Sequence, residues 1–162
     1  MRDSFRVITA PEPLELGRLS VFLGGGILHC PEWQDELIRI LEATRVPLTV
    51  VNPRRKNFPM DDPSAAQAQI EWEYNALQKC KVFSMWFCAT DKSDQPICFY
   101  ELGRHLAVNS RYSVVVGYET GFRRWQDVEI QTRLVHPEFE FSHSLEEHAE
   151  NIIAAFHALR MI

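Results

Sequence analysis

Four short, mostly apolar stretches punctuate the chain, at 19–23 (Leu-Ser-Val-Phe-Leu), 48–51, 82–88 and 113–116. Between them the hydrophobic positions change period. In 31–43, Trp33, Leu37, Ile40 and Leu41 recur at helical spacing, while Glu32, Asp35, Glu36 and Arg39 fall mostly elsewhere. In 65–80, Ile70, Tyr74 and Leu77 share one stripe, with Trp72 and Glu73 beside it. Residues 96–109 place Cys98, Phe99, Leu102 and Leu106 for packing, and Pro96 suits the first turn, where a missing N–H costs nothing. Helices are also predicted at 125–134 and after Ser144. There Ser144 and Glu147 match a capping box, and Ala149, Ile152, Ile153, Phe156 and Leu159 form an apolar face. Residues 139–141 (Phe-Glu-Phe) read as a short fifth strand, and 1–18, with Pro11 and Pro13, as an extended arm.

Strand and helix therefore alternate. That order predicts right-handed crossovers and an α/β, flavodoxin-like three-layer fold, with a central parallel sheet of about five strands. The 82–88 run is apolar throughout, as expected of a strand covered on both faces. A chain of 162 residues fits one domain, 1–162. In such sheets ligands bind outside the carboxyl ends of the strands. The loops at 24–26, 52–63, 90–95 and 117–123 would meet there.

Charge and cysteine usage narrow the function. A net charge of −5 and a pI near 5.7 argue against a dedicated partner of nucleic-acid polymers. No apolar run reaches the ~20 residues of a membrane helix, and residues 1–6 lack a signal-peptide core. A cytoplasmic protein is expected. Cys30, Cys80, Cys88 and Cys98 form no Cys-x-x-Cys pair, and His143 and His148 are five apart, off a common helical face. Neither a metal nor a cofactor is expected.

The candidate chemistry lies in the loops and at Glu101. Gly24-Gly25-Gly26 follows the first strand and would let backbone approach a ligand closely, or is a plain tight turn. A dinucleotide fingerprint would need glycine where His29 stands. Asn52-Pro53-Arg54-Arg55-Lys56 opens a long loop and is either a solvated basic face or a phosphate site. Glu101 stands early in its helix, where unpaired N–H groups favour an ionised carboxylate. On spacing alone, a solvated surface glutamate is the commoner case. Phe22, Trp72, Trp86 and Tyr118 could stack on a base or pack in the core.

The ordered set of Val-Phe-Leu-Gly-Gly-Gly-Ile at 21–27, Trp33-Gln34, Asn52-Pro53-Arg54-Arg55, Gln69-Ile70-Glu71-Trp72-Glu73, 83–87, Gln95-Pro96-Ile97, Glu101-Leu102-Gly103 and Asp127-Val128-Glu129-Ile130-Gln131 resembles the nucleoside 2-deoxyribosyltransferase-like family. The resemblance implies a small α/β fold and transfer of 2-deoxyribose between nucleobases. It places the family's nucleophilic glutamate on Glu101 and the acidic residue that contacts the base on Glu73. A second acidic position falls near Gln95, which is not acidic. It further implies a nucleoside or nucleotide substrate held by Phe22, Gly24, Gly25, Asn52, Arg55, Trp72, Gln95 and Tyr118, in a homo-oligomer. The arm and Tyr118, Phe122 and Trp125 are the expected oligomer contacts. Two alternatives stand beside transfer. One is N-glycosidic hydrolysis of deoxynucleosides or their 5′-monophosphates. The other is a non-catalytic nucleotide-derivative-binding module, which the missing acid at Gln95 favours.

Overall fold

The computed structural model describes residues 4–162. Its elements are β1 (Arg6–Thr9), β2 (Ser20–Gly25), α1 (Trp33–Ala43), β3 (Thr49–Asn52), α2 (Pro63–Lys79), β4 (Val82–Phe87), α3 (Pro96–Val108), a 3-10 turn at Arg111–Ser113, β5 (Val114–Tyr118), α4 (Trp125–Val135) and α5 (Leu145–Ala158). The five strands form one sheet in the order β1-β3-β2-β4-β5, and every pairing is parallel. The fold is α/β, of the flavodoxin-like three-layer kind.

β4 shows why the layers form. Its alternate residues face opposite sides, as the two-residue repeat of a strand requires. Val82 and Trp86 join the core under α1 and α5, with Leu37, Leu41, Ile152 and Phe156. Phe83, Met85 and Phe87 join the core under α2, α3 and α4, with Leu77, Leu102, Leu106 and Val128. Helix starts follow local chemistry. Asp62 Oδ1 accepts from the Ser64 N–H (2.9 Å) with Pro63 at the first helical position. Ser144 Oγ accepts from the Glu147 N–H (3.1 Å), while Glu147 Oε2 accepts from His143 N–H (2.7 Å). The reciprocal half of the capping box thus lands one residue earlier than expected.

Two expectations are corrected at the sheet edges. The arm is not merely extended: Arg6–Thr9 pairs with β3 from Arg6↔Thr49 to Thr9↔Asn52. The prolines that suggested a non-strand arm lie just beyond it, after the Ala10 N–H has bonded to the Asn52 carbonyl (3.3 Å). Residues 1–3 of the arm lie outside the described residues. Residues 139–141 are not a strand. The Phe139 N–H is spent on a turn to the His136 carbonyl (3.0 Å), and only Ser142 reaches β5, as a single parallel bridge to Gly117. Phe139 and Phe141 are buried because they fill the core, not because they pair.

The topology fixes where a ligand can sit. From β2 the chain steps through α1 to β3 on one side, then returns through α2 to β4 on the other. The order reverses between β2 and β4, and a crevice opens at their carboxyl ends.

Candidate active site

The crevice floor is the end of β2. Gly25 has φ +154°, and an added Cβ would lie 2.3 Å from the Trp86 carbonyl and 2.5 Å from the Trp33 ring. At Gly26 an added Cβ would meet Gln95 Oε1 at 2.3 Å and Cys30 Sγ at 2.4 Å. The protein's own atoms therefore occupy the space glycine frees, while the backbone lines the cavity. Trp33 Nε1–H fastens the turn by donating to the Gly26 carbonyl (2.8 Å).

Gln95 sets the start of α3. Its φ is 52°, and its buried amide pairs with one backbone unit at the end of β4. Nε2 donates to the Cys88 carbonyl (2.9 Å) and Oε1 accepts from the Cys88 N–H (3.1 Å). A carboxylate could not make that pair, because it has no proton to give the carbonyl. The amide in place of an acid at this position thus has a structural use. Gln95 borders the cavity with its polar atoms already engaged.

Glu101 and Glu73 face the same cavity, of about 410 Å³, with Phe22, Gly24, Ile97 and Cys98 among its other walls. Glu101 stands in the second turn of α3, beyond the first-turn N–H groups expected to keep it ionised. Its carboxyl is instead pushed up to about 7, first by burial, then by the charge of Glu73; Arg104 partly offsets this. Burial also raises Glu73, against the Gln69 amide, which donates from Nε2 to Glu73 Oε1 (2.7 Å). The two carboxyls form a coupled pair that resists losing its last proton. Burial likewise pushes the Cys98 thiol up, so it is a neutral wall.

A second cavity, of about 1080 Å³, adjoins the first and shares Ile27, Leu28, Pro53 and Glu73 with it. Asn52 and Arg55 line this one. The Asn52 side chain accepts from the Arg54 N–H (3.0 Å), and the Arg55 guanidinium lies 5.3 Å from the centre of the Phe58 ring. Arg54, the first residue of the basic run, is a brace: it donates to the carbonyls of Pro31 (2.5 Å) and Cys30 (3.0 Å) and to Gln34 Oε1 (3.1 Å).

Of the expected site residues, Phe22, Gly24, Gly25, Glu73, Gln95 and Glu101 come together at one cavity. Trp72 and Tyr118 do not join them. Trp72 Nε1–H donates to the Glu12 carbonyl (2.7 Å), which ties α2 to the segment after β1. Tyr118 is buried, and its hydroxyl donates to Glu129 Oε1 (2.6 Å) against α4. Trp86 lies in the core, its ring centroid 5.2 Å from that of His148. These aromatics are spent on packing and on partners for their polar tips. Pro53, Ile27, Leu28, Ile97 and Gln69 border the two cavities without having been expected there. Ile27, Pro53, Ile97 and Gln69 stand in the motifs that carry the resemblance, and Gln69 also stands four residues before Glu73 on one helical face.

The fold and this crevice define an α/β protein with two facing carboxyls at its switch point, a site of a size for a small molecule. The chain belongs to the family described as nucleoside 2-deoxyribosyltransferase like, which matches residues 18–122. The match runs from just before β2 to just past β5, so both glutamates lie inside it, while β1, α4 and α5 lie outside. No curated protein matches the chain.

Proposed function

We propose that the protein transfers 2-deoxyribose between nucleobases, through a covalent ester of the sugar with Glu101. The observation that carries this is the placing of Glu101 and Glu73 on one cavity at the switch point, as the family's nucleophile and base-contacting acid would be. The reactive microstate of the pair has its one proton on Glu73, passed from Glu101, which otherwise holds it up to about pH 7. Glu101 attacks the anomeric carbon, and the N-glycosidic bond breaks with its electron pair going to the base. Glu73 gives its proton to that base. An incoming base then reverses each step, with net retention at the sugar. A carboxylate suits this chemistry because the transition state carries oxocarbenium charge. The buried, apolar Phe22 wall disfavours water as the competing acceptor.

One experiment tests the nucleophile. After a slow-leaving 2-fluoro deoxynucleoside analogue, the wild type gains one sugar mass on the peptide holding Glu101, and Glu101→Gln gains none. A labelled peptide elsewhere would overturn the assignment.

A second reading is hydrolysis of a deoxynucleoside 5′-monophosphate. Arg55 favours it: half-buried on the adjoining cavity, it has no ion-pair partner among the described residues. Loss of monophosphate turnover alone in Arg55→Ala would select this reading.

The protein is proposed to be a cytoplasmic homo-oligomer. No helix among the described residues is long and apolar enough to cross a membrane. Of the aromatics first expected at the oligomer contact, Phe122 and Tyr118 are buried and cannot serve it, while Trp125 is exposed and stays available to it. Exposed Ile70, Tyr74, Ile97 and Tyr100 on α2 and α3 fit better, with the Arg104 guanidinium over the Tyr74 and Tyr100 rings at 5.3 and 5.8 Å.

A further inference from the structure

Gln69 has no part in the proposed reaction as described so far, yet it touches the site's acid directly. It stands on α2 one helical turn before Glu73, and its Nε2 donates twice: to Glu73 Oε1 (2.7 Å) and to the Pro53 carbonyl (2.9 Å). Both partners are acceptors, so only the nitrogen of the amide can stand there. Pro53, in the loop leaving β3, thereby locks the amide against flipping. The other end, Oε1, is buried without a partner. The amide's bonding is thus spent through Nε2 alone, on the acid and on the loop.

We infer that Gln69 is a positioning residue that holds Glu73 by Oε1 and steadies it as a carboxylate, so that proton exchange with the base takes place at Glu73 Oε2. This rests on the reading of Glu73 as the proton donor. The geometry dictates the oxygen. Oε1 already accepts from Gln69, so a proton on Glu73 belongs on Oε2, which has no hydrogen bond from the described residues. When that proton passes to the base, negative charge develops on Glu73 next to the Gln69 N–H. A donor to the ionised form makes the transfer easier. Glu101 and the Cys98 thiol from α3 interact with Glu73 by charge, Arg104 acts on Glu101, and Arg55, Lys56 and His29 line the adjoining cavity that Glu73 shares. Gln69 alone among them bonds to it.

The test uses the full chain with labelled glutamate carboxyls, followed by NMR across pH, beside the pH profile of turnover. Gln69→Leu removes the donor and Gln69→Lys offers a charged one. In Gln69→Leu, Glu73 should titrate at higher pH than in the wild type, and the alkaline limb of kcat/KM should move up with it. In Gln69→Lys both should move down. Turnover in Gln69→Leu should fall about tenfold or more, the scale of one charge-assisted hydrogen bond. Gln69 is only partly buried, so both variants should fold, and circular dichroism would verify it. Unchanged Glu73 titration in both variants would overturn the proposal, as would a uniform loss of turnover with no movement of the limb. Signed titration shifts in a wild type that turns over no deoxynucleoside would support the hold on Glu73 and overturn the proposed reaction instead.

Discussion

Strand β4 separates two polar clusters that residue type alone would rank in the wrong order. Under its α5 face lies a serine–histidine pair at bonding distance, Ser84 Oγ to His148 Nε2 at 2.7 Å. Near its other face, at the strand end, two glutamates look across a cavity with no hydrogen bond between them among those described. The first looks like a nucleophile with its base. It is sealed: Ser84, His148 and Ser142 are all fully buried, and His148 Nδ1 is paired with Ser142 Oγ (3.0 Å), which also accepts from Asn151 (3.0 Å). Every polar atom is answered by protein, so the cluster pins α5 to the sheet. The glutamates are answered incompletely, and that leaves them free to act on a ligand. Unmet polar capacity beside a cavity, more than residue type, marks the site.

The largest effect that would break this contrast is on turnover. Glu101→Gln should lower it by about a thousandfold or more, as for a covalent nucleophile, with the fold intact. Ser84→Ala should leave turnover unchanged. Steady-state kinetics on both variants checks this, and a loss in Ser84→Ala would bring the buried cluster into the mechanism.

Proton linkage should separate the clusters by sign. Burial lowers His148 to about 3. Below its ordinary value near 6.5 the unfolded chain binds a proton that the folded chain refuses. Stability from His148 is therefore full above about pH 6.5 and is lost as pH falls toward 3, by up to about 1.4 kcal/mol per pH unit. Glu101 runs the other way. Raised to about 7, it holds a proton the unfolded chain has already released, so its contribution is present below about 4.5 and lost as pH rises through 7. Urea titrations from pH 5 to 8 should show Glu101→Gln gaining on the wild type toward pH 8. The kcat/KM profile should have an alkaline limb near pH 7, where the pair loses its last proton. That limb should vanish in Glu73→Gln.

A smaller effect tests whether the buried cluster is purely structural. Ser84→Ala removes a partner from a sealed imidazole nitrogen and should cost about 1–3 kcal/mol in chemical denaturation. A neutral result would mean that His148 finds another partner.

How far such clusters were legible in the sequence depended on the range of the forces involved. Helices and central strands came from hydrophobic period, which is local, and observed bounds differ by a residue or two at most ends. β1 was missed because Arg6 and an exposed Val7 on a parallel edge strand carry little apolar signal, and its pairing partner is more than forty residues away. Glu101 was singled out by an early-turn argument that its second-turn position does not uphold, and only the resemblance raised it and Glu73 above surface glutamates. Tyr118 and Trp72 misled because a buried aromatic with a polar tip satisfied inside the protein has the same sequence signature as one facing a ligand. Arg54 misled likewise: its three acceptors lie at positions 30, 31 and 34, across a loop that no spacing rule reaches.

The smallest effect concerns Gly103, two residues after Glu101 in the middle of α3. Its backbone is ordinary helix, and an added Cβ would meet nothing within 4 Å. Neither a turn nor a close approach inside this chain requires glycine there. Gly103→Ala should therefore stabilise the isolated chain by about 0.5–1 kcal/mol, the helix-propensity difference, and leave Glu101 where it is. The neighbouring exposed Tyr100 and half-buried Arg104 belong to the face proposed for a second copy. If that copy packs closely over α3, the new methyl would clash with it, and light scattering would show the oligomer weakened in Gly103→Ala. Enhanced stability with an unchanged mass would place the contact elsewhere on the surface. It would also leave the glutamate pair independent of the glycine beside it.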